Sequence, residues 1–286
     1  GLVNGVSLQV RAGETLAIVG ESGSGKSVTA LSIMRLTPPQ SSKIEGSIKL
    51  NGKELLTLPD SQMRHIRGNE IAMIFQEPMT SLSPLHTIGD QIGEAAKLHR
   101  DVSAPEAREL TQEMLRLVQF PDPARALDTY PFELSGGLRQ RAMISMAMIC
   151  NPALLIADEP TTALDVTIQK QILDLLMNLQ ARHGMGLIMI THDLGVVAGL
   201  CDEVNVLDGG RMEGAVITFA EITERRRAQA LLREAHGELE RRVAQRTRVK
   251  AVLRKADANI VNPVLDQCEV KPSVQCAQQL RSAYHQ

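Results

Sequence analysis

The chain has 286 residues, of which 43% are hydrophobic, and a formal net charge of −2. This length allows one large domain or two smaller ones, each with its own core, and the composition excludes a disordered protein. The near-neutral charge provides no global basic field, so bulk electrostatics do not indicate nucleic acid as a partner.

In the first half of the chain, short apolar runs predict strands and a helical pattern predicts an insert. The predicted strands are residues 16–19, 48–50, 54–58 and 71–75. The second and third flank Asn51 and Gly52, a dipeptide that favours a two-residue hairpin turn. A helix follows the first strand and is expected to stop at Pro38. Residues 87–118 have a helical pattern broken near 101–105, within a helical insert of about 77–135.

The second half of the chain alternates between strand and helix patterns. Strands are predicted at 154–157 and 186–190, and helices at 138–149, 166–182 and 194–200, followed by a strand hairpin at about 204–216. Strands that alternate with helices predict an α/β fold. Such a fold has a mostly parallel sheet with helices on both faces.

The strongest local motif is GESGSGKS at residues 20–27, which matches G-x-x-x-x-G-K-[ST] between a strand and a helix. Its glycines let successive backbone N–H groups surround phosphate oxygens at a helix N-terminus. Lys26 is expected to reach the β- and γ-phosphates, and the Ser27 hydroxyl to ligate Mg²⁺. The alternative, a flexible linker, does not fit between a strand and an immediate helix. The predicted phosphate-binding residues are Gly20, Glu21, Ser22, Gly23, Ser24, Gly25, Lys26, Ser27 and Val28.

Acidic, amide and imidazole groups stand at the ends of three later strands. Asp158 and Glu159 follow residues 154–157, at the edge where ligands bind in open α/β sheets. Asp158 can hold Mg²⁺, directly or through water, and Glu159 can orient and polarise an attacking water. Alone, the pair could also be two surface acids. His192 and Gln76 also follow strands. His192 could belong to the site or be an ordinary packed or solvated histidine. The Gln76 amide could contact metal or water, or cap the insert.

Together these segments resemble the nucleotide-binding domain of ABC transporters. Six motifs follow the family's order over about residues 1–208. They resemble Walker A (20–27), the Q-loop (Gln76), the signature LSGGLRQ (134–140), Walker B (154–159), the D-loop (163–165) and the H-loop (His192). The stretches GESGSGKSVTALSIMRL and LLIADEPTTALDVTIQKQILDLL are most similar to ATPases of oligopeptide and dipeptide importers.

The resemblance implies that two nucleotide-binding domains close head to tail, as a homo- or heterodimer. The signature of one then covers the γ-phosphate of ATP held by the other, through Ser135, Gly136 and Gly137. The residues alone describe an N-capped helix start, which is compatible with this role. The resemblance also implies that Asp165 crosses the dimer interface and that His192 contacts the γ-phosphate. Gln76 is expected to contact the metal and to link the site to membrane subunits.

The function implied is ATP binding and hydrolysis in an importer, for peptide or oligopeptide uptake, with ATP and Mg²⁺ as cofactors. The expected partners are a second nucleotide-binding domain, transmembrane permease subunits and, indirectly, a periplasmic or extracellular substrate-binding protein, with no nucleic acid. Two alternatives are a soluble ABC ATPase with a non-transport task and a composite or truncated chain without full activity.

Cysteine usage favours the cytoplasm, and the resemblance implies a peripheral location at the cytoplasmic face of the inner membrane. The four cysteines show no CxxC pairing, and no cleavable apolar signal precedes the first strand, which favours a reducing compartment. No run of about 18 apolar residues occurs, so a membrane role is expected to be peripheral and to need a partner.

Both ends of the chain depart from the family pattern. The chain starts about twenty residues before the phosphate loop, so we expect the family's first strand and adenine-stacking aromatic to be absent and nucleotide affinity to be weakened. We divide the chain into an ATP-binding domain at 1–217 and an atypical extension at 218–286. The extension has a long charged helix at 221–255, which resembles the signalling helix that follows a PAS domain, and an irregular tail. A two-component linker protein built on this helix is a non-enzymatic alternative.

Overall fold

The computed structural model describes residues 3–38, 40, 42–162 and 164–213. The long charged helix and the irregular tail lie outside the described residues. The predicted domain boundary after residue 217 lies outside them as well, and it stays a prediction.

A parallel sheet is the centre of the described part of the chain. The strands are β1 (Thr15–Val19), β2 (Lys49–Leu50), β3 (Lys53–Glu54), β4 (Ile71–Ile74), β5 (Leu154–Asp158), β6 (Gly186–Ile190), β7 (Glu203–Asp208) and β8 (Arg211–Glu213). Six of them pair in the order β4-β5-β6-β1-β7-β8, and all neighbours run parallel except β7 and β8. The predicted hairpin near the end of the ATP-binding domain is therefore confirmed as far as Glu213.

Helices precede or follow each parallel strand. They are α1 (Lys26–Ile33), α2 (Asp60–Ile66), α3 (Pro78–Ser81), α4 (Ile88–His99), α5 (Ala104–Leu117), α6 (Pro123–Ala126), α7 (Gly136–Met148), α8 (Val166–His183) and α9 (Leu194–Leu200), with a 3-10 turn at Pro131–Glu133. The predicted break between α4 and α5 is confirmed, since Ser103 and Glu106 form a capping box that starts α5. Helices α3 to α6 occupy the predicted insert.

The two faces of the sheet build separate hydrophobic clusters. In β5, Leu154 and Ile156 pack with α1 and α2 on one face, whereas Leu155 and Ala157 pack with α4, α5, α7 and α8 on the other. Every residue of β1, β5 and β6 is buried, because helices cover both faces of these strands. The α/β fold with helices on both faces is thus confirmed.

The small hairpin β2–β3 forms around Asn51 and Gly52, with φ of 48° and 81°, the left-handed values that a type I′ turn needs. The second strand of this hairpin is predicted at 54–58, but in the structure β3 ends at Glu54, so the prediction is wrong for residues 55–58. The carbonyl oxygens of Leu55 and Leu58 accept hydrogen bonds from the guanidinium of Arg35, at 2.9 and 2.7 Å. A side chain therefore takes the place of a neighbouring strand.

Two other predicted boundaries move by a few residues. Helix α1 ends at Ile33, well before Pro38, because Arg35 adopts a left-handed φ of 51°. Helix α7 begins at Gly136, two residues before its predicted start, because Ser135 is its N-cap.

Helix α4 contacts the chain after α6 through a glycine. The N–H of Gly89 donates to the carbonyl oxygen of Leu127 at 3.0 Å. A Cβ added at Gly89 would lie 2.4 Å from that same oxygen, too close for any side chain. The absence of a side chain therefore sets the approach of these two segments.

We expect Gly89→Ala to lower the free energy of unfolding by about 1–3 kcal/mol, because the Cβ would force α4 away from Leu127. Gly93→Ala on the same helix is the matched control. Its Cβ would meet only Thr111 Oγ1, at an ordinary 3.5 Å, and alanine favours a helix over glycine by up to about 1 kcal/mol. Chemical denaturation of both variants measures the difference. Equal stabilities of the two variants would contradict this interpretation.

Candidate functional site

The loop between β1 and α1 depends on glycines. A Cβ at Gly20 would lie 2.1 Å from the carbonyl oxygen of Leu207 in β7, so only glycine fits there. Gly23 and Gly25 have left-handed φ of 83° and 101°. Gly25 is the N-cap of α1 and supplies no side-chain acceptor to the first N–H groups of that helix. The loop therefore presents backbone donors at a helix N-terminus, which suits phosphate.

The ammonium group of Lys26 bends back over this loop. Its Nζ donates to the carbonyl oxygens of Gly20 and Glu21 at 2.8 and 2.9 Å, and the residue is buried. Ser24 Oγ lies in the same loop, buried and without a hydrogen-bond partner among the described residues. Both groups can turn to a phosphate oxygen.

Asp158 ends β5 with a buried carboxylate. Burial raises its pKa, a hydrogen bond with Ser27 lowers it, the charge of Glu159 raises it, and the charge of Lys26 lowers it, with burial the largest effect. Its Oδ1 has no hydrogen-bond partner among the described residues. A buried carboxylate oxygen without a donor, beside a serine hydroxyl, provides the oxygen ligands that Mg²⁺ prefers. The residues present therefore fit the metal. In the described part of the chain, no three His, Cys, Asp or Glu side chains form a metal-binding group.

Residues from three strand ends meet at the carboxylate of Glu159. Its Oε2 accepts a hydrogen bond from Gln76 Nε2 at 3.0 Å, and its Oε1 lies 3.4 Å from His192 Nδ1. The backbone N–H of Glu159 donates to Ile190 at the end of β6, at 3.0 Å. The structure thus brings together Gln76, Glu159 and His192, which follow three separate strands.

The signature residues form a second group. Ser135 Oγ caps α7 by accepting from the N–H of Leu138 at 3.4 Å, and Ser135 and Gly136 are exposed. A Cβ at Gly137 would lie 2.8 Å from Ile168 at the start of α8, so this turn packs closely on α8. The hydrogen bond of the Ser135 hydroxyl lies at the start of α7, whereas the hydrogen bonds of Lys26 lie within the phosphate loop. The predicted roles of the signature in ATP binding stay predictions.

Asp165 has a structural role within the chain. Its Oδ1 accepts from the N–H groups of Thr167 and Ile168 at 3.1 and 3.0 Å, which caps α8. The carboxylate is exposed, and its predicted position at a dimer interface stays a prediction.

Sequence reasoning missed Thr162. Its hydroxyl donates to Glu159 Oε2 at 2.9 Å, and its backbone N–H donates to the carbonyl oxygen of Glu159 at 3.2 Å. A threonine three residues after a functional acid, in a segment with a proline, is the signal that could have identified this contact.

Comparisons with known proteins give a consistent result. The profile of the ABC transporter family matches residues 3–162. A probable peptide ABC transporter ATP-binding protein of Sinorhizobium fredii is 59% identical over 218 residues, which cover 76% of this chain and 65% of that protein. The oligopeptide transport ATP-binding protein OppD of Salmonella typhimurium is 52% identical over 209 residues, which cover 73% of this chain and 62% of that protein. The chain thus spans less than two thirds of the length of these relatives.

A solved structure has the same fold. It is a dimeric ATP-binding cassette in a post-hydrolysis state, bound to ADP and Pi, with 30% identity and a TM-score of 0.66. The match covers 74% of this chain and 89% of that one. Among the helices of the described residues, none is long and apolar enough to cross a bilayer.

With Mg²⁺ chelated and no nucleotide, we expect Asp158→Asn to raise the free energy of unfolding at pH 7 by on the order of 1 kcal/mol. Because the folded-state pKa is raised, ionising Asp158 costs stability as the pH rises through that value. Below the ordinary aspartate pKa of about 4, the wild-type carboxyl is neutral and the gain should disappear. Urea denaturation between roughly pH 3.5 and pH 7 measures this trend. The exposed Asp208→Asn is the control, and a gain independent of pH would contradict the prediction.

For Asp165, we expect Asp165→Ala to lower the free energy of unfolding by about 1 kcal/mol, because two N–H groups of α8 lose their acceptor. Asp165→Asn keeps an oxygen acceptor, so its stability should match the wild type. Thermal denaturation of the two variants checks this, and a stable alanine variant would show that the cap is unimportant. A change in ATP-dependent dimerisation of the asparagine variant would then report a separate role at an interface.

Proposed function

We propose that this chain, which belongs to the ABC transporter family, is the ATP-binding and hydrolysing subunit of an importer for peptides. The observation that carries the proposal is the position of Glu159, held by Gln76 and facing His192, next to the buried carboxylate of Asp158. The family hydrolyses ATP, and its cofactors are ATP and Mg²⁺.

The phosphate loop is the proposed binding site for the phosphates of ATP. Its backbone donors at the start of α1, the Ser24 hydroxyl and the Lys26 ammonium all belong to one short segment. Asp158 and Ser27 hold Mg²⁺ in this proposal, directly or through water, with Gln76 as a further oxygen ligand. The metal would supply positive charge at the β- and γ-phosphates, where negative charge accumulates during phosphoryl transfer.

Glu159 is the proposed general base of hydrolysis. It accepts a proton from water while the water oxygen bonds to the γ-phosphorus and the bond to the β-phosphate oxygen breaks, which leaves ADP and phosphate. His192, exposed and 3.4 Å from the Glu159 carboxylate, is placed to contact the γ-phosphate beside that water.

A second nucleotide-binding domain completes the site in our proposal. Ser135 and Gly136 are exposed at the first turn of α7, and Gly137 follows them, so their hydroxyl and N–H groups can bind the ATP of a partner. The solved relative is dimeric, which supports this arrangement. The partner can be a copy of this chain or a different domain.

Peptide uptake is proposed from the relatives, whose names describe peptide, dipeptide and oligopeptide transport. Transmembrane permease subunits and, through them, a substrate-binding protein are the proposed further partners. The chain would then lie at the cytoplasmic face of the membrane as a peripheral subunit. Co-purification with permeases distinguishes this function from that of a soluble ATPase with another task.

The central test is ATP hydrolysis by the wild type and by Glu159→Gln. The wild type should hydrolyse ATP only with Mg²⁺, and the variant should lose turnover by about 10²–10⁴-fold, as expected for a general base. ATP-dependent dimerisation, measured by light scattering, should persist, because glutamine has the same shape. Glu94→Gln, an exposed position on α4, is the control. An inert wild type, or an active Glu159→Gln, would contradict the proposed function.

A further inference from the structure

We infer that Thr162 is a positioning residue for Glu159. The hydrogen bond from its hydroxyl to the carboxylate determines which carboxylate oxygen takes the proton of the attacking water. This inference rests on the proposed function, since it assigns a further residue to the same hydrolytic site.

The two oxygens of the Glu159 carboxylate have different neighbours. Oε2 accepts two hydrogen bonds, from Thr162 Oγ1 at 2.9 Å and from Gln76 Nε2 at 3.0 Å. Oε1 has only the ring nitrogen of His192, at the longer distance of 3.4 Å, among the contacts of the described residues. Donors on Oε2 occupy its lone pairs, whereas Oε1 keeps a lone pair that can accept a proton. The carboxylate therefore has one anchored oxygen and one reactive oxygen.

Thr162 is the more rigid of the two anchors. It lies in the same turn as Glu159, where its N–H donates to the Glu159 carbonyl oxygen at 3.2 Å. Gln76 instead reaches the carboxylate from the segment after β4, 83 positions away in the sequence. Threonine is β-branched, so few rotamers are open to its hydroxyl, and a hydroxyl that donates to a carboxylate forms a strong hydrogen bond.

The backbone of Glu159 gives the side chain a defined origin. Its φ is 46°, a left-handed value that non-glycine residues adopt rarely. Its N–H is bound to Ile190 of β6, which fixes the start of the side chain at the edge of the sheet. With the backbone held by β6 and Oε2 held by Thr162, the remaining freedom of the carboxylate is small. Oε1 then keeps one direction when Gln76 and His192 turn to a ligand.

Thr162 is exposed, so the hydrogen bond from its hydroxyl contributes little to the free energy of unfolding. A loss of function in a Thr162 variant can therefore be separated from a loss of folding. The test is steady-state ATP hydrolysis by the wild type, Thr162→Val and Thr162→Ser, each checked by thermal denaturation. Thr162→Val keeps the shape and removes the donor, so kcat should fall about five- to tenfold, with the KM for ATP changed less than about twofold. Thr162→Ser restores the donor, and its kcat should stay within about twofold of the wild type.

Two further variants make the result decisive. Thr129→Val removes a hydroxyl that donates to the Arg125 carbonyl oxygen on the insert, and its kcat should equal that of the wild type. Adding Thr162→Val to Glu159→Gln should cause no further loss, because the threonine acts through the carboxylate. An unchanged kcat in Thr162→Val, or a further loss in the double variant, would overturn the inference. Wild-type protein without ATP hydrolysis would instead overturn the proposed function on which it rests.

Discussion

The parallel pairing of β4, β5, β6 and β1 determines where the side chains of the proposed site lie. The register aligns Asp158 with Ile190, and Ile190 with Ile18, so three strands end at one level. The chain beyond each strand therefore emerges at the same edge of the sheet. A change of register would be costly, since a shift by one residue would exchange side chains between two closely packed clusters of different shape. The positions of the side chains in the proposed site therefore depend on the packing of the core.

The insert and the signature helix are held by a different set of contacts. Helix α7 is buried along most of its length and packs against both the insert and α8. Its first turn is nevertheless exposed, because Ser135 caps it and Gly136 carries no side chain. Helix α7 thus combines a buried length with an exposed N-terminus. An exposed helix N-terminus of this kind is compatible with the proposed binding of a partner's ligand.

Sequence pattern was sufficient for the fold class, for β6 and α9 in full, and for the residues at the strand ends, because each depends on local periodicity or on a short motif. It failed where a distant side chain intervenes. The strand predicted at 54–58 stops early because Arg35 binds its carbonyl groups, and no periodicity reports a contact 20 positions away. Thr162 was missed for a local reason. The spacing of acid, proline and threonine favours a turn, but it does not specify the left-handed φ of Glu159 that accompanies the contact.

The folded-back Lys26 has a consequence for the energetics of ligand binding. An ammonium group in water carries a tightly held hydration shell, and removing that shell on binding is costly. Here Lys26 is 7% exposed and its ammonium group is bound to two carbonyl oxygens, so most of this dehydration is complete once the chain has folded. An arriving anion has to draw the ammonium group away from these two neutral dipoles. Most of the dehydration of the ammonium group has then already taken place during folding.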